Sequence, residues 1–337
     1  MTSSAPLRLV QVDALRGLAA LLVVVYHYTW RFDELYPGPG ERTVAVPFGH
    51  LGVQLFFTIS GFVIPLTLQR TTTALDFIVS RCARLLPAYW VAVLLTFGMV
   101  TLLGLPGRQV QLGEAVINLT MVQRLVGVPS VDGVYWTLTV ELLFYGWALA
   151  LWRVAGPHFR PRWLVGWIAL QALWLAGTLG WHVTVPHTVA QLLLLPYLHT
   201  FAVGIALQAV HAGRWSPQTL LWVVLWSLTA TWLQDGALAC GFALFFAFLL
   251  VAAVHSRLPT SVIAPLLWVG AVSYPLYLLH QNLGYLALRN LRALGPDLAS
   301  LLVLSGALLL AMVVHRWVEQ PAQQFVRRAW ARYRTKA

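Results

Sequence analysis

The chain has 337 residues, 59% of them hydrophobic and only 10% charged, with a mean hydropathy of +0.73. A soluble domain carries about 25% charged residues, so the composition excludes an ordinary globular core and points to a bilayer, where hydrocarbon penalises charge and tolerates apolar surface all round a helix. The net charge of +11 does not signal nucleic acid, because the basic residues punctuate long apolar runs rather than clustering on one polar segment.

About 20 apolar residues cross a bilayer. Such runs fall at 13–31, 51–69, 85–105, 135–153, 163–181, 188–210, 218–234, 237–254, 263–287 and 298–318. The expected fold class is therefore all-α integral membrane, a bundle of about ten transmembrane helices. The first run has no convincing small-residue cleavage site and reads as a retained span, not a signal peptide. Residues 106–134 are long enough to hold an interfacial helix. Pro65, Pro196 and Pro275 lie inside runs, where membrane helices tolerate them as kinks. The seventh and eighth runs part at Gln234, Asp235 and Gly236.

With the N-terminus inside, the inner segments collect about 16 of the 22 Lys and Arg. These include Arg8, Arg70, Arg153, Arg160, Arg257 and Lys336, while Arg31, Arg42, Arg108, Arg124, Arg289 and Arg292 fall outside. That bias places both termini in the cytoplasm. Residues 1–318 form the membrane domain, and 319–337 a basic, aromatic tail expected to lie on the anionic inner leaflet. Cys82 and Cys240 have no metal-ligand spacing and form no disulfide framework, so no metal is expected.

An ionisable side chain inside a span is a candidate for function. Arg16 and His27 are eleven residues apart in the first span, within about 20° of three full turns, so they share a face roughly 16 Å apart along the axis. Arg16 also reads as a snorkelling anchor, and His27 as a packed helix-end histidine. In the fourth span, Glu141 lies about six residues inside the outer end, at a depth similar to His27. A carboxylate there holds one imidazole tautomer and makes the ring a better general base for a hydroxyl, or it is an interhelical ion pair. Ser60, in Phe56-Phe57-Thr58-Ile59-Ser60-Gly61-Phe62, lies among residues suited to close helix packing and is a poor nucleophile without a base. His280, in the outer half of the ninth span, fits an acceptor-binding role and a packing role equally. Arg81 and Arg84, read in a cytoplasmic loop leading into the third span, are i, i+3 neighbours suited to clamping phosphates, although positive-inside bias alone also puts arginines there.

In this order the segments resemble the acyltransferase-3 family of membrane O-acyltransferases. The matching pieces are Asp13-x-x-Arg16-Gly17 with His27; Phe56-Phe57-x-x-Ser60-Gly61-Phe62; Arg81-x-x-Arg84-x-x-Pro87-x-Tyr89; Trp136-x-Leu-x-Val-Glu141-x-x-Phe144-Tyr145; Ser273-Tyr274-x-x-Tyr277-x-x-His280; and Glu319-x-Pro321. The resemblance implies a multi-pass protein of the cell membrane, in a bacterium the inner one. It implies a cytosolic acyl-coenzyme A donor, usually acetyl, with no bound cofactor, and a sugar or glycan hydroxyl as acceptor, with membrane lipids around it. It makes His27 the essential histidine, Arg16 its partner, and Arg81 and Arg84 the donor-binding pair, with Glu141 matching the family glutamate. Asp13, Ser60, Trp136, Tyr145, Tyr277 and His280 are then acceptor or pocket residues. Two departures stand out. Glu141 is followed by Leu142 where many members carry a second acid, and no secreted hydrolase-like domain is expected after the tenth run. The competing class is a proton-coupled transporter or flippase of a glycolipid, which also uses buried His, Glu and Arg; no inverted pairing of broken helices favours it.

Overall fold

The structure, a computed structural model, describes residues 10–156, 161–255 and 258–335. The expectations for Arg8, Arg160, Arg257 and Lys336 fall outside these residues. The described chain is helical with no strand, and eight of its helices are long and apolar enough to cross a membrane.

In chain order, α1 (Val10–Tyr26) runs through a π turn at His27–Arg31 into the short α2 (Phe32–Leu35). Next come α3 (Gly52–Gln69), α4 (Ala74–Leu103), α5 (Leu112–Asn118) and α6 (Trp136–Ala155), the last entered through a 3-10 turn at Gly133–Tyr135. Then follow α7 (Pro161–Gly180), α8 (His187–Leu192), α9 (Leu198–His211) and α10 (Pro217–His255). The chain closes with α11 (Thr260–Leu279), α12 (Gln281–Asn290), α13 (Pro296–Val314), a π turn at His315–Glu319 and α14 (Gln320–Arg334).

Several boundaries differ from those the hydropathy runs predict, each for a local reason. Helix α4 begins at Ala74, eleven residues before the expected span, because Thr73 and Asp76 form a reciprocal capping box. Arg81 and Arg84 are thus helical rather than in a loop. The run 188–210 breaks between α8 and α9, where Leu194 takes a left-handed φ of 57° and Pro196 follows. The run 263–287 is interrupted at His280, and the last run continues through its π turn into α14. Helix α10 spans 39 residues, which would be about 58 Å if straight. Instead Gly236 adopts φ 83°, and the His255 ring ends 5.8 Å from that of His211, six residues before Pro217. The segment is therefore a hairpin, turned at the expected boundary. The 106–134 stretch contains α5.

Glycines let backbones meet at the centre. Gly17 faces the Leu266 carbonyl and Gly270 the Asp13 carbonyl, leaving no room for a Cβ on either, so α1 and α11 lie backbone to backbone. Gly61 and Gly204 do the same for α3 and α9. These contacts pair α1 with α11 and α3 with α9, and side chains from α1, α3, α4, α6 and α11 line one central cavity. At the far end, α14 folds against the start of α4, with Trp330 Nε1 donating to Asp76 Oδ1 at 2.7 Å and Arg334 pairing with the same carboxylate at 3.2 Å.

Candidate active site

Two cavities meet in the middle of the bundle. The first is lined by Arg16, Arg81, Arg84, Ser60, Glu141 and Tyr145 among others. The second, a vestibule, is lined by His27, Arg108, Trp136, His199, Asp235 and Gln281 among others. Val53, Phe57 and Tyr277 line both, so they form the partition. Arg16, on α1, and His27, at the start of the π turn that follows it, thus face neighbouring cavities.

The arginine-lined cavity carries three guanidinium groups against one carboxylate. Arg16 Nη1 bonds Asp13 Oδ1 at 3.2 Å, which sets Asp13 at the rim of this cluster. The Arg81 guanidinium lies 5.7 Å from the Phe77 ring centre and 5.9 Å from that of Tyr145, and its Nε is buried with no hydrogen-bond partner. A buried donor left unmet is costly, and an anion with several acceptor oxygens in this cavity satisfies it.

Glu141 does not stand beside His27. Its Oε1 accepts from Ser60 Oγ at 3.0 Å and from Tyr145 OH at 2.5 Å, within the arginine-lined cavity. The antiparallel register of α6 against α11 and α12 explains this. Asp132 meets the backbone N–H of Asn282, the Tyr135 hydroxyl reaches the Leu278 carbonyl, and Thr137 pairs with the Tyr277 hydroxyl at 2.8 Å. Glu141, four residues beyond Thr137, therefore sits roughly 10 Å along the axis from the level of His280. Counting depth from Tyr135 misses this, because the residues before α6 are already buried against α12.

His27 has another partner. It is 8% exposed, at the start of the π turn, a device that re-aims side chains at functional sites. Its Nδ1 lies 2.8 Å from the Val23 carbonyl and 3.2 Å from Nε2 of His280. A carbonyl only accepts, so Nδ1 carries the proton. His280 Nδ1 in turn faces the carbonyls of Tyr277 at 2.9 Å and Leu276 at 3.2 Å, so its Nε2 is the acceptor toward His27. The pair leaves His27 Nε2 with a free lone pair, the form a general base needs. Tyr28 OH donates to the His280 carbonyl at 2.8 Å, packed against Gly284, and Ser300 Oγ donates to the Tyr28 carbonyl at 3.1 Å. These bonds tie the π turn to α12 and α13.

Tyr277 sits between the cavities, its ring 5.6 Å from that of Phe56 and its hydroxyl on Thr137. Trp136 lines the vestibule, 6.3 Å from Phe57 and under the Arg124 guanidinium at 5.8 Å. Sequence reasoning missed Arg108, His199 and Gln281. Gln281 directly follows His280, and that adjacency was the available signal. Asp132, fully buried, accepts from the backbone N–H of Val134 at 3.1 Å and of Asn282 at 2.9 Å, latching the entry of α6 to the entry of α12. Burial pushes its carboxyl up to about 7.

A family model described as an acyltransferase domain matches residues 9–316. The chain is similar to Nodulation protein 10 of Rhizobium leguminosarum bv. viciae, 29% identical over 174 residues, which are 42% of this chain and 44% of that protein. It is also similar to the exopolysaccharide production protein ExoZ of Rhizobium meliloti (strain 1021), 35% identical over 124 residues, 34% of this chain and 36% of that protein. The chain thus spans less than half the length of either relative. No solved structure matches it.

Proposed function

This chain belongs to the acyltransferase family whose model spans residues 9–316, and on that footing we propose that it moves an acyl group, acetyl in the first instance, from cytosolic acyl-coenzyme A to a hydroxyl of an extracytoplasmic carbohydrate. The observation that carries the reading is the meeting of the arginine-lined cavity with the histidine-lined vestibule at Val53, Phe57 and Tyr277. In the cell membrane, with the basic inner loops in the cytoplasm, the arginine-lined cavity faces the donor and the vestibule faces the acceptor. The chain then makes ten crossings, counting both arms of the α10 hairpin and the short apolar helix α9.

Arg16, Arg81 and Arg84 hold the phosphates of the coenzyme, with Arg81 Nε gaining the acceptor it lacks. The pantetheine arm is about as long as five extended residues, roughly 18 Å. That matches the rise of about 16 Å from Arg16 to His27. Its thioester therefore reaches the partition when the phosphates are seated. His27 Nε2 removes the proton of the acceptor hydroxyl, and the oxygen attacks the thioester carbonyl directly. Ser60 and the Glu141 carboxylate it donates to lie in the arginine-lined cavity, whereas His27 lines the vestibule, and this separation supports the direct route over a relay through Ser60. The carbohydrate acceptor is supported by the exopolysaccharide named for ExoZ, and by a vestibule that combines Tyr26, Trp136 and Tyr197 rings with polar side chains.

The test is transfer of radiolabelled acetyl from acetyl-coenzyme A by membranes holding the wild type or His27→Ala, read by mass spectrometry of surface glycans. Loss of an acetyl mass in the variant is expected. Solute movement persisting in both, with no acyl turnover in either, would replace the enzyme by a transporter.

A further inference from the structure

Direct acyl transfer needs more than a base. As the acceptor oxygen bonds to the thioester carbon, the carbonyl π electrons move onto oxygen, and the resulting oxyanion requires donors already in place. We infer that the Gln281 carboxamide and the Arg108 guanidinium supply them. This assignment rests on the transferase reading above.

Three observations converge on these two side chains. First, both line the vestibule that holds His27. Second, they approach each other over Gly133. A Cβ there would stand 3.0 Å from Gln281 Nε2 and 3.2 Å from Arg108 Nη1, so the two nitrogens lie no more than about 6 Å apart. One oxygen held at about 2.9 Å from each of two donors bridges a gap of up to about 5.8 Å. Third, the fold does not use the whole amide. Gln281 is 4% exposed, and its Oε1 is buried without a hydrogen-bond partner. That oxygen is an acceptor and does not itself hold an oxyanion; what it shows is that no protein donor claims that end of the carboxamide, at the cost in stability of an unmet buried oxygen.

The register is also fixed. Gln281 follows His280, whose ring holds His27, and Asp132 ties the Gly133 turn to the backbone N–H of Asn282. The base and the carboxamide donor are therefore positioned by one junction, α11 to α12, while Arg108 arrives from the connection between α4 and α5. A side chain at Gly133 would push the carboxamide and the guanidinium out of the space they now share.

In the resulting step, His27 Nε2 takes the hydroxyl proton as the new C–O bond forms, and the oxyanion sits between Gln281 Nε2 and Arg108 Nη1. Collapse restores the carbonyl and breaks the C–S bond. The coenzyme thiolate leaves and takes the proton back from the His27 imidazolium. Nothing is oxidised or reduced, and the products are the ester and coenzyme A.

The experiment uses the full chain in membranes, with acetyl-, butyryl- and palmitoyl-coenzyme A as donors and thiol release plus label incorporation as readouts. Gln281→Leu and Arg108→Gln are each expected to lower kcat by ~10²-fold, the usual cost of one oxyanion donor, with the donor KM within about twofold of wild type. Millimolar guanidinium is expected to restore part of the rate to Arg108→Gly. Rates of both variants within about threefold of wild type overturn the assignment. So does a Gln281→Leu protein whose melting temperature and donor KM collapse along with kcat, which marks a packing role. A wild type that turns over none of the three thioesters overturns the transferase reading itself.

Discussion

His280→Ala removes the imidazole whose Nε2 accepts from His27 Nδ1–H at 3.2 Å, and leaves the Val23 carbonyl at 2.8 Å as the remaining acceptor. The tautomer of His27 therefore survives. What is lost is one of two acceptors for the proton that His27 keeps on Nδ1 once it becomes an imidazolium. A hydrogen bond to a charged group is worth about 1.5–3 kcal/mol, and a 3.2 Å contact shared with a second acceptor belongs at the lower end. About 1.4 kcal/mol is a tenfold change in rate, so kcat should fall roughly tenfold. Separately, removing a ring from a position 0% exposed leaves a void, which costs a few kcal/mol of stability. His280→Gln keeps an acceptor and should recover most of the rate. The assay is single-turnover thiol release at saturating acyl-coenzyme A, paired with thermal unfolding of the same preparations. An unchanged rate in His280→Ala would reduce the ring to packing. A loss of ~10³ or more that Gln does not repair would make His280 the base itself. Either result refutes the two-histidine arrangement.

Glu141→Gln should lower the donor KM by a few-fold, because it removes the negative charge that opposes the arginines, and leave the shape of the pH–rate profile intact. A large fall in kcat at unchanged KM would instead return it to His27. Gly270→Ala drives a methyl into the Asp13 carbonyl. Overpacking of this kind costs about 1–3 kcal/mol, so the melting temperature should drop by several degrees, whereas an unchanged one would refute the close approach of α1 and α11. Asp132 titrates in the folded protein at about 7, above its ordinary value of 3.8. Its contribution to stability is fully present below the unfolded value and is lost as pH rises through about 7. Melting temperatures measured from pH 4 to 8 should therefore decline more steeply for the wild type than for Asp132→Asn, and parallel curves would remove the buried carboxyl from the account.

The membrane bundle was legible because its cause is compositional: a chain with 10% charge has few places to put polar backbone except in helices. Gly236 was legible as a turn because Gln234 and Asp235 precede it in an otherwise apolar run. Arg16 and His27 were legible as candidates because each is an ionisable side chain in an apolar run, and the structure sets them on neighbouring cavities. Glu141 was misplaced because its position depends on how α6 registers against α11 and α12. That register is set by Asp132, Tyr135 and Thr137, whose partners lie more than a hundred residues away. The breaks at Leu194 and His280 escaped the hydropathy count because apolar residues continue straight through them. The π turn at His27 was invisible for the same reason, and with it the meeting of His27 and His280.

The partition of Val53, Phe57 and Tyr277 carries a second consequence. In the proposed orientation it is also the permeability seal of the cell, since a half-channel opens toward it from each side. On the proposed chemistry, a partition of these three side chains would let a thioester meet an alcohol across the bilayer without any carrier crossing it. The same arrangement means that trimming these three side chains trades chemistry for proton leak, so catalysis and insulation are set by the same few atoms.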